Sequence, residues 1–126
     1  AVFRAGLERT LDGLIDAGKR VVLIGSVPES LWDVPLTLAL HHRLGRPAPV
    51  LEPAVVEARG AWVDAEFRRV AAHPSVDYVP TAPLFCAEEA GCRIELEGAP
   101  LYRDAHHLNL AGAVDFLGPR LRLEIP

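Results

Sequence analysis

The sequence predicts an α/β fold, a three-layer α/β/α domain in which a short parallel sheet lies between helices. A helical pattern closed by Gly18 leads directly into Val21–Ile24, a wholly apolar run. Such a run is typical of a strand in a parallel sheet that is covered on both faces. Val76–Val79 is predicted to be a second short strand, and helical patterns occupy much of the chain between the two runs.

Apolar spacing and end signals predict the first two helices. Asp33 can cap a helix from about residue 34 to residue 44, and Gly45 ends it. The helix before Gly18 has its apolar residues at helical spacing: Phe3, Leu7, Leu11, Leu14 and Ile15.

A third, long helix is predicted from about residue 53 to residue 72. Its buried side would carry Trp62, Phe67 and Val70. The last helix is predicted to begin near Leu108 and to end before Gly118-Pro119.

Between the second strand and the last helix the sequence predicts irregular structure and one hairpin. Pro80 and Pro83 predict a loop that leads toward Cys86. Residues 93–96 and 100–102 can pair as a hairpin around residues 97–99.

Composition and charge are ordinary for a globular domain. Of 126 residues, 50% are hydrophobic and 24% are charged, and the net charge of −4 gives no sign of nucleic-acid binding. No apolar run approaches the ~20 residues that a membrane helix needs. We expect residues 1–126 to form one domain and to be the C-terminal portion of a longer one, because the chain opens in a helical pattern without Met or a leader.

The candidate catalytic residues are Asp104 and His107, which lie three positions apart where a loop meets a helix. In Ser-His-Asp chemistry the histidine is the general base, and the carboxylate fixes its tautomer. A single turn could deliver both groups to an active site as one unit. The alternative is structural: Asp104 caps the helix and His107 is a partly buried surface histidine.

The segment Leu-Tyr-Arg-Asp-Ala-His-His-Leu-Asn-Leu-Ala-Gly, residues 101–112, resembles the closing block of SGNH domains fused to multi-span membrane acyltransferases of the O-antigen acetylase type. Residues 18–29, residues 33–35 and residues 84–86 with a nearby second cysteine are similar to other parts of that domain and occur in the same order. The resemblance implies an SGNH, flavodoxin-like α/β fold, and it favours a catalytic role for Asp104 and His107.

The family's nucleophile lies in a Gly-Asp-Ser motif near the start of the domain, and this motif is absent here, as is Gly-x-Asn-Asp. The resemblance therefore implies that a missing upstream segment supplies the serine and that this chain alone is inactive. It implies O-acyl transfer, of an acetyl-type group, to a cell-envelope glycan on the extracytoplasmic face of the bacterial membrane. N-terminal membrane spans would deliver the acyl group, and no metal or other cofactor is implied.

Two other functions remain open. An SGNH esterase would use water in place of the sugar hydroxyl. A non-catalytic glycan-binding remnant would have lost its nucleophile altogether. The sequence upstream of Ala1 would separate them.

Cys86 and Cys92 are the only cysteines, and they can close a small disulfide loop if the compartment is oxidising. The alternative is two buried or free thiols. The chain-entropy model gives roughly 2.4 kcal/mol of stabilisation for so short a loop.

Ser26 follows the first strand and is the one serine considered as an internal nucleophile. Pro28 lies in the turn that a nucleophile elbow would need, which favours a plain turn serine.

The pairs His41-His42 and His106-His107 raise the possibility of a metal site, but adjacent side chains diverge, and no metal is expected. Trp32, in the loop after the first strand, is a candidate to face a substrate.

Overall fold

The computed structural model describes residues 2–87 and 90–125. It has the predicted α/β class, with helices packed on a pair of parallel strands. In chain order the elements are α1 (Val2–Asp16), β1 (Val21–Ile24), α2 (Val34–Leu44), α3 (Pro53–Val70), β2 (Val76–Val79), α4 (Ala82–Phe85), β3 (Cys86–Ala87), β4 (Gly91–Cys92), β5 (Glu95–Leu96), β6 (Ala99–Pro100), a π-helical turn (Gly112–Leu117) and α5 (Gly118–Glu124).

The parallel pair of β1 and β2 is the centre of the first core. Val21 lies opposite Val76, and Ile24 lies opposite Val79. The face of Val21 and Val76 is covered by both α1 and α3, which meet there through Leu11 of α1. The opposite face includes Ile24, which is 45% exposed.

A second, larger core lies under the C-terminal half of the chain. Phe85 and Phe116 pack there with their ring centroids 4.8 Å apart. The buried members of this core come from α2, the segment before α3, α3, α4, β4, the segment after β4 and the π-helical turn: Val34, Leu38, Leu51, Val56, Phe85, Cys92, Ile94, Leu101, Tyr102, Phe116 and Leu117. It is the base on which the residue 101–112 segment rests.

The end signals of the first two helices act as predicted. The Asp33 carboxylate accepts a hydrogen bond from the amide of Leu36 at 2.8 Å and so caps α2. Gly18 and Gly45 adopt φ values of 71° and 62°, the left-handed conformation that ends a helix most readily at glycine.

The prediction that the last helix ends before Gly118 is wrong. The helix passes through Gly118 and Pro119 and continues as α5. Because Pro119 has no amide hydrogen, it cannot continue the ordinary ladder, and the turn before it is π-helical. There the amide of Gly118 donates to the carbonyl of Ala113, five residues back.

The prediction that Trp62 is buried is also wrong. Its side chain lies at the open edge between α1 and α3, where it is 51% exposed and packs against Phe3 with ring centroids 5.1 Å apart. Phe67 is half-buried and Val70 is buried, as expected for the inner side of α3. The indole reaches the edge of the helix pair and covers it without entering the core.

Two local predictions need correction between residues 80 and 100. The segment expected as a loop contains α4, a single helical turn with proline in its first positions, where a missing amide hydrogen costs nothing.

The hairpin forms, but its turn consists of Glu97 and Gly98 alone, with φ of 51° and 81°. Positive φ at both positions is the type I′ geometry of two-residue hairpins.

Candidate active site

A tight turn presents the two candidate catalytic residues. The amide of Arg103 donates to the carbonyl of His107 at 2.9 Å, and Tyr102 and Leu108 form a β-bridge across the base of the turn. Residues 104–106 therefore form its tip. Tyr102 at its base is 1% exposed, so the turn projects from a buried anchor.

The structure brings Asp104 and His107 into direct contact. Asp104 Oδ2 lies 2.8 Å from His107 Nδ1. The second oxygen, Oδ1, accepts hydrogen bonds from the backbone amides of His106 and His107, each at 2.8 Å. These amides, together with the imidazole of His107, hold the pKa of the Asp104 carboxyl well below its usual range. The carboxylate is thus ionised at neutral pH.

An ionised carboxylate can only accept a hydrogen bond, so the bond to Asp104 places the proton of a neutral His107 on Nδ1. Nε2 then keeps its lone pair and can take a proton from a hydroxyl group. The His107 side chain is 59% exposed and that of Asp104 is 37% exposed. Within residues 2–87 and 90–125, the imidazole of His107 forms its hydrogen bond with Asp104 alone.

Asn109 ties the turn at residues 103–107 to the hairpin below it. Its side-chain amide donates to the carbonyl of Pro100 at 2.6 Å, and its side-chain oxygen accepts from the amide of Gly112 at 2.8 Å. Its own backbone amide donates to the carbonyl of Leu101 at 3.0 Å. The positioning role of Asn109 was not predicted. The only signal for it in the sequence is its place in the residue 101–112 block.

Gly112 allows the turn and the last helix to pack closely. A Cβ at this position would lie 3.0 Å from the carbonyl carbon of Leu101 and closer still to the carbonyl oxygen. Real Cβ atoms do not approach another atom as closely as this Cβ would approach the oxygen. The closing block therefore combines the two candidate catalytic residues with two residues, Asn109 and Gly112, that fix its backbone. Spacing along the chain does not reveal such a close approach.

The loop after β1 docks against the same turn. The amide of Ser30, which is 2% exposed, donates to the carbonyl of Ala105 at 2.9 Å. Trp32, suggested as a substrate-facing residue, is partly buried and packs against the larger core. Its side chain therefore contacts the protein interior and is in part still exposed.

A cavity of about 610 Å³ opens between α3 and the carboxyl ends of β1 and β2. Ser26 and Tyr78 are in its wall, whereas Asp104 and His107 are not. The Ser26 carbonyl accepts a hydrogen bond from the Thr81 hydroxyl. Among the described residues the structure records no hydrogen bond between Ser26 and His107.

Cys86 and Cys92 form a disulfide, the pairing predicted from the sequence. The two cysteines lie opposite each other in the antiparallel pair of β3 and β4. The amide of Cys92 donates to the carbonyl of Leu51, which ties the pair to the larger core. The disulfide thus closes a small loop just before the hairpin that supports the turn at residues 103–107.

The histidines of α2 are engaged in local contacts. His41 Nδ1 lies 2.6 Å from the Arg46 carbonyl oxygen, and His42 Nε2 lies 2.9 Å from a carboxylate oxygen of Glu95. In the described parts of the chain, one group of three or more His, Cys, Asp or Glu side chains lies close enough together to hold a metal ion, and it consists of Asp104, His106 and His107. His41 and His42 do not belong to it.

The chain belongs to a known domain family. Residues 1–121 match the family model of the SGNH domain (fused to AT3 domains). Comparisons with curated proteins and with solved structures found no significant match. The match covers nearly the whole chain and confirms the resemblance inferred from the closing block.

Proposed function

We propose that this chain is the part of an O-acyltransferase domain that supplies the general base, His107, and its orienting carboxylate, Asp104. The observation that carries the proposal is the 2.8 Å contact from Asp104 Oδ2 to His107 Nδ1, combined with an imidazole that is more than half exposed. This is the arrangement that Ser-His-Asp chemistry requires of its histidine and its acid. Membership of an acyltransferase-associated family supports the same reaction class.

The nucleophile in this proposal is a serine from a segment of the same polypeptide outside the present sequence, which has no Gly-Asp-Ser motif. The serine oxygen attacks the carbonyl carbon of the acyl donor while His107 Nε2 takes its proton. His107 then gives that proton to the departing group of the donor, which leaves an acyl-serine. Asp104 stabilises the imidazolium that exists between the two transfers.

The second half of the reaction repeats this pattern with an acceptor. His107 removes the proton from a sugar hydroxyl as the hydroxyl oxygen attacks the acyl-serine carbonyl. Collapse of the intermediate breaks the bond to serine, and the proton on His107 returns to the serine oxygen. Without the serine and the oxyanion donors most of the rate advantage is lost, so we propose that residues 1–126 alone are inactive.

The setting that we propose is the extracytoplasmic face of a bacterial membrane, with a cell-envelope glycan as the acceptor. Fusion of the family to AT3 domains is consistent with a membrane protein whose spans deliver the acyl group. No helix among the described residues has both the length and the apolar character needed to cross a bilayer. The disulfide of Cys86 and Cys92 supports an oxidising compartment.

The experiment that tests this function uses the complete polypeptide with p-nitrophenyl acetate as donor and a cell-envelope oligosaccharide as acceptor. Acyl transfer predicts that adding the oligosaccharide yields acetylated sugar at the expense of free acetate. If acetate release is unchanged and no acetylated sugar forms, the domain is an esterase that uses water. If neither product forms, the proposal of catalysis is wrong.

A further inference from the structure

We propose that Asp104, His106 and His107 form a binding site for a divalent transition metal, and that a bound metal competes with the hydrogen bond between His107 and Asp104. Zn²⁺ is the ion with which the site is tested. Each residue offers one ligand atom, and these atoms all lie within 4.8 Å of one another. Two imidazoles and a carboxylate are the ligand types that zinc binds most readily besides thiolate.

The carboxylate of Asp104 lies between the two imidazoles. Oδ2 is 2.8 Å from His107 Nδ1, and Oδ1 is 3.8 Å from His106 Nδ1. Zinc bonds of roughly 2.0–2.2 Å in a tetrahedral site place neighbouring ligand atoms about 3.3–3.5 Å apart. The two observed separations involve the two oxygens of the one carboxylate and fall on either side of that value, and no two ligand atoms are more than 4.8 Å apart. Side-chain rotation would draw the three ligand atoms together around one metal ion.

The site is open to solvent. The side chains of Asp104, His106 and His107 are 37%, 52% and 59% exposed, and water can fill the fourth position. The two rings lie nearly perpendicular, at 87°, with centroids 5.9 Å apart. Although adjacent histidines usually diverge, the tight turn at residues 103–107 brings both rings to the same carboxylate.

The metal and the general base use His107 in opposite tautomers. In the bond to Asp104, Nδ1 carries the single proton of the neutral ring and Nε2 is free to accept another. A metal bound at Nδ1 needs that lone pair, so the proton resides on Nε2. No proton is gained or lost, but Nε2 becomes a donor and cannot deprotonate a hydroxyl. The proposal that zinc binds rests on the geometry of the three side chains. The proposal that bound zinc inhibits acyl transfer rests also on the proposed function.

The test is a calorimetric titration of the protein with ZnCl₂, with His106→Ala as the diagnostic variant. This change removes one ligand but keeps the backbone amide that donates to Asp104. We expect one zinc site in the wild-type protein and about a tenfold or greater loss of affinity in His106→Ala, since even indirect partners of a bound metal contribute that much. His42→Ala is the matched control, because it disrupts the histidine pair of α2, and it should leave the affinity unchanged.

A second readout is the tautomer of His107, followed by two-bond ¹H–¹⁵N NMR as zinc is added. The proposal predicts a change from the Nδ1–H form to the Nε2–H form. Absence of binding, loss of affinity in His42→Ala instead of His106→Ala, or persistence of the Nδ1–H form at zinc saturation would each overturn it. The zinc-free spectrum bears on the catalytic pair alone: an Nε2–H tautomer there would contradict the proposed function and leave the zinc affinities as a separate result.

Discussion

Gly112 packs so closely against the carbonyl group of Leu101 that a Cβ at position 112 would lie 3.0 Å from the carbonyl carbon and nearer still to the oxygen. The same carbonyl accepts the backbone amide of Asn109 at 3.0 Å. Any side chain at position 112 therefore forces apart the last helix and the turn that carries Asp104 and His107.

Gly112→Ala should lower the free energy of unfolding by about 1–3 kcal/mol or more, the usual cost of adding volume to a packed site. Gly60→Ala is the matched control, because a Cβ at that position in α3 meets nothing within 4 Å. It should be neutral or stabilise the helix by about 0.5–1 kcal/mol. Urea unfolding of both variants measures the difference, and equal effects would contradict the close approach at Gly112.

Asp104→Asn should separate orientation of the imidazole from support of the turn. The Asn side-chain oxygen can still accept the amides of His106 and His107, but its NH₂ group faces Nδ1 and reverses the tautomer. In the complete polypeptide we expect a loss of about 10⁴ in the rate of acyl transfer with little change in melting temperature. Asp104→Ala should additionally lower the melting temperature, because the amides of His106 and His107 lose their acceptor and the turn loses its support. A normal rate in Asp104→Asn would show that the carboxylate only supports the turn.

The disulfide of Cys86 and Cys92 should stabilise the protein by roughly 2.4 kcal/mol in the chain-entropy model. Thermal unfolding with and without reductant measures this effect. The double variant Cys86→Ser, Cys92→Ser should unfold at the temperature of the reduced wild type and should not respond to reductant. A wild-type protein that is equally insensitive would show that the disulfide contributes nothing to stability.

Glu66 should make the stability of the α1–α3 pair depend on pH. Its buried carboxylate accepts hydrogen bonds from Arg4 and Arg69, and these contacts, chiefly that with Arg4, lower its pKa from the ordinary 4.5. A lowered folded-state pKa adds stability above the unfolded value, and this is lost as the pH falls through the folded value. Wild type should therefore exceed Glu66→Gln in stability at pH 7, with the gap narrowing below about pH 4.5. A gap that stays constant or widens on acidification would contradict the ion-pair role.

The sequence predicted most elements because their signals are local. Gly18 and Gly45 ended helices as expected, and the wholly apolar Val21–Ile24 run became a strand. The errors arose where tertiary packing, or a hydrogen-bond pattern other than that of the α-helix, overrides a local rule. Pro119 was taken as a helix stop, but a π-helical turn accommodates it, and Trp62 packs at an edge that helical periodicity does not reveal.

The candidate site divides in the same way. The spacing of Asp104 and His107 indicated a pair on one turn, and the structure places the two side chains in contact. The roles of Asn109 and Gly112 depend on the hairpin and the buried carbonyl beneath the turn, and those contacts join parts of the chain that only the fold brings together. Their positions in the motif were visible, but the physical reason for them was not.

The most direct test of the catalytic role of His107 is acyl-serine formation in the complete polypeptide, measured by intact-protein mass spectrometry after mixing with p-nitrophenyl acetate. His107→Ala removes the proposed base, and His106→Ala removes the neighbouring, similarly exposed imidazole. We predict that the acyl adduct forms at the wild-type rate in His106→Ala and that its formation falls by several orders of magnitude in His107→Ala, with both proteins folded. An adduct that forms equally fast in His107→Ala would contradict the role of this residue as the general base.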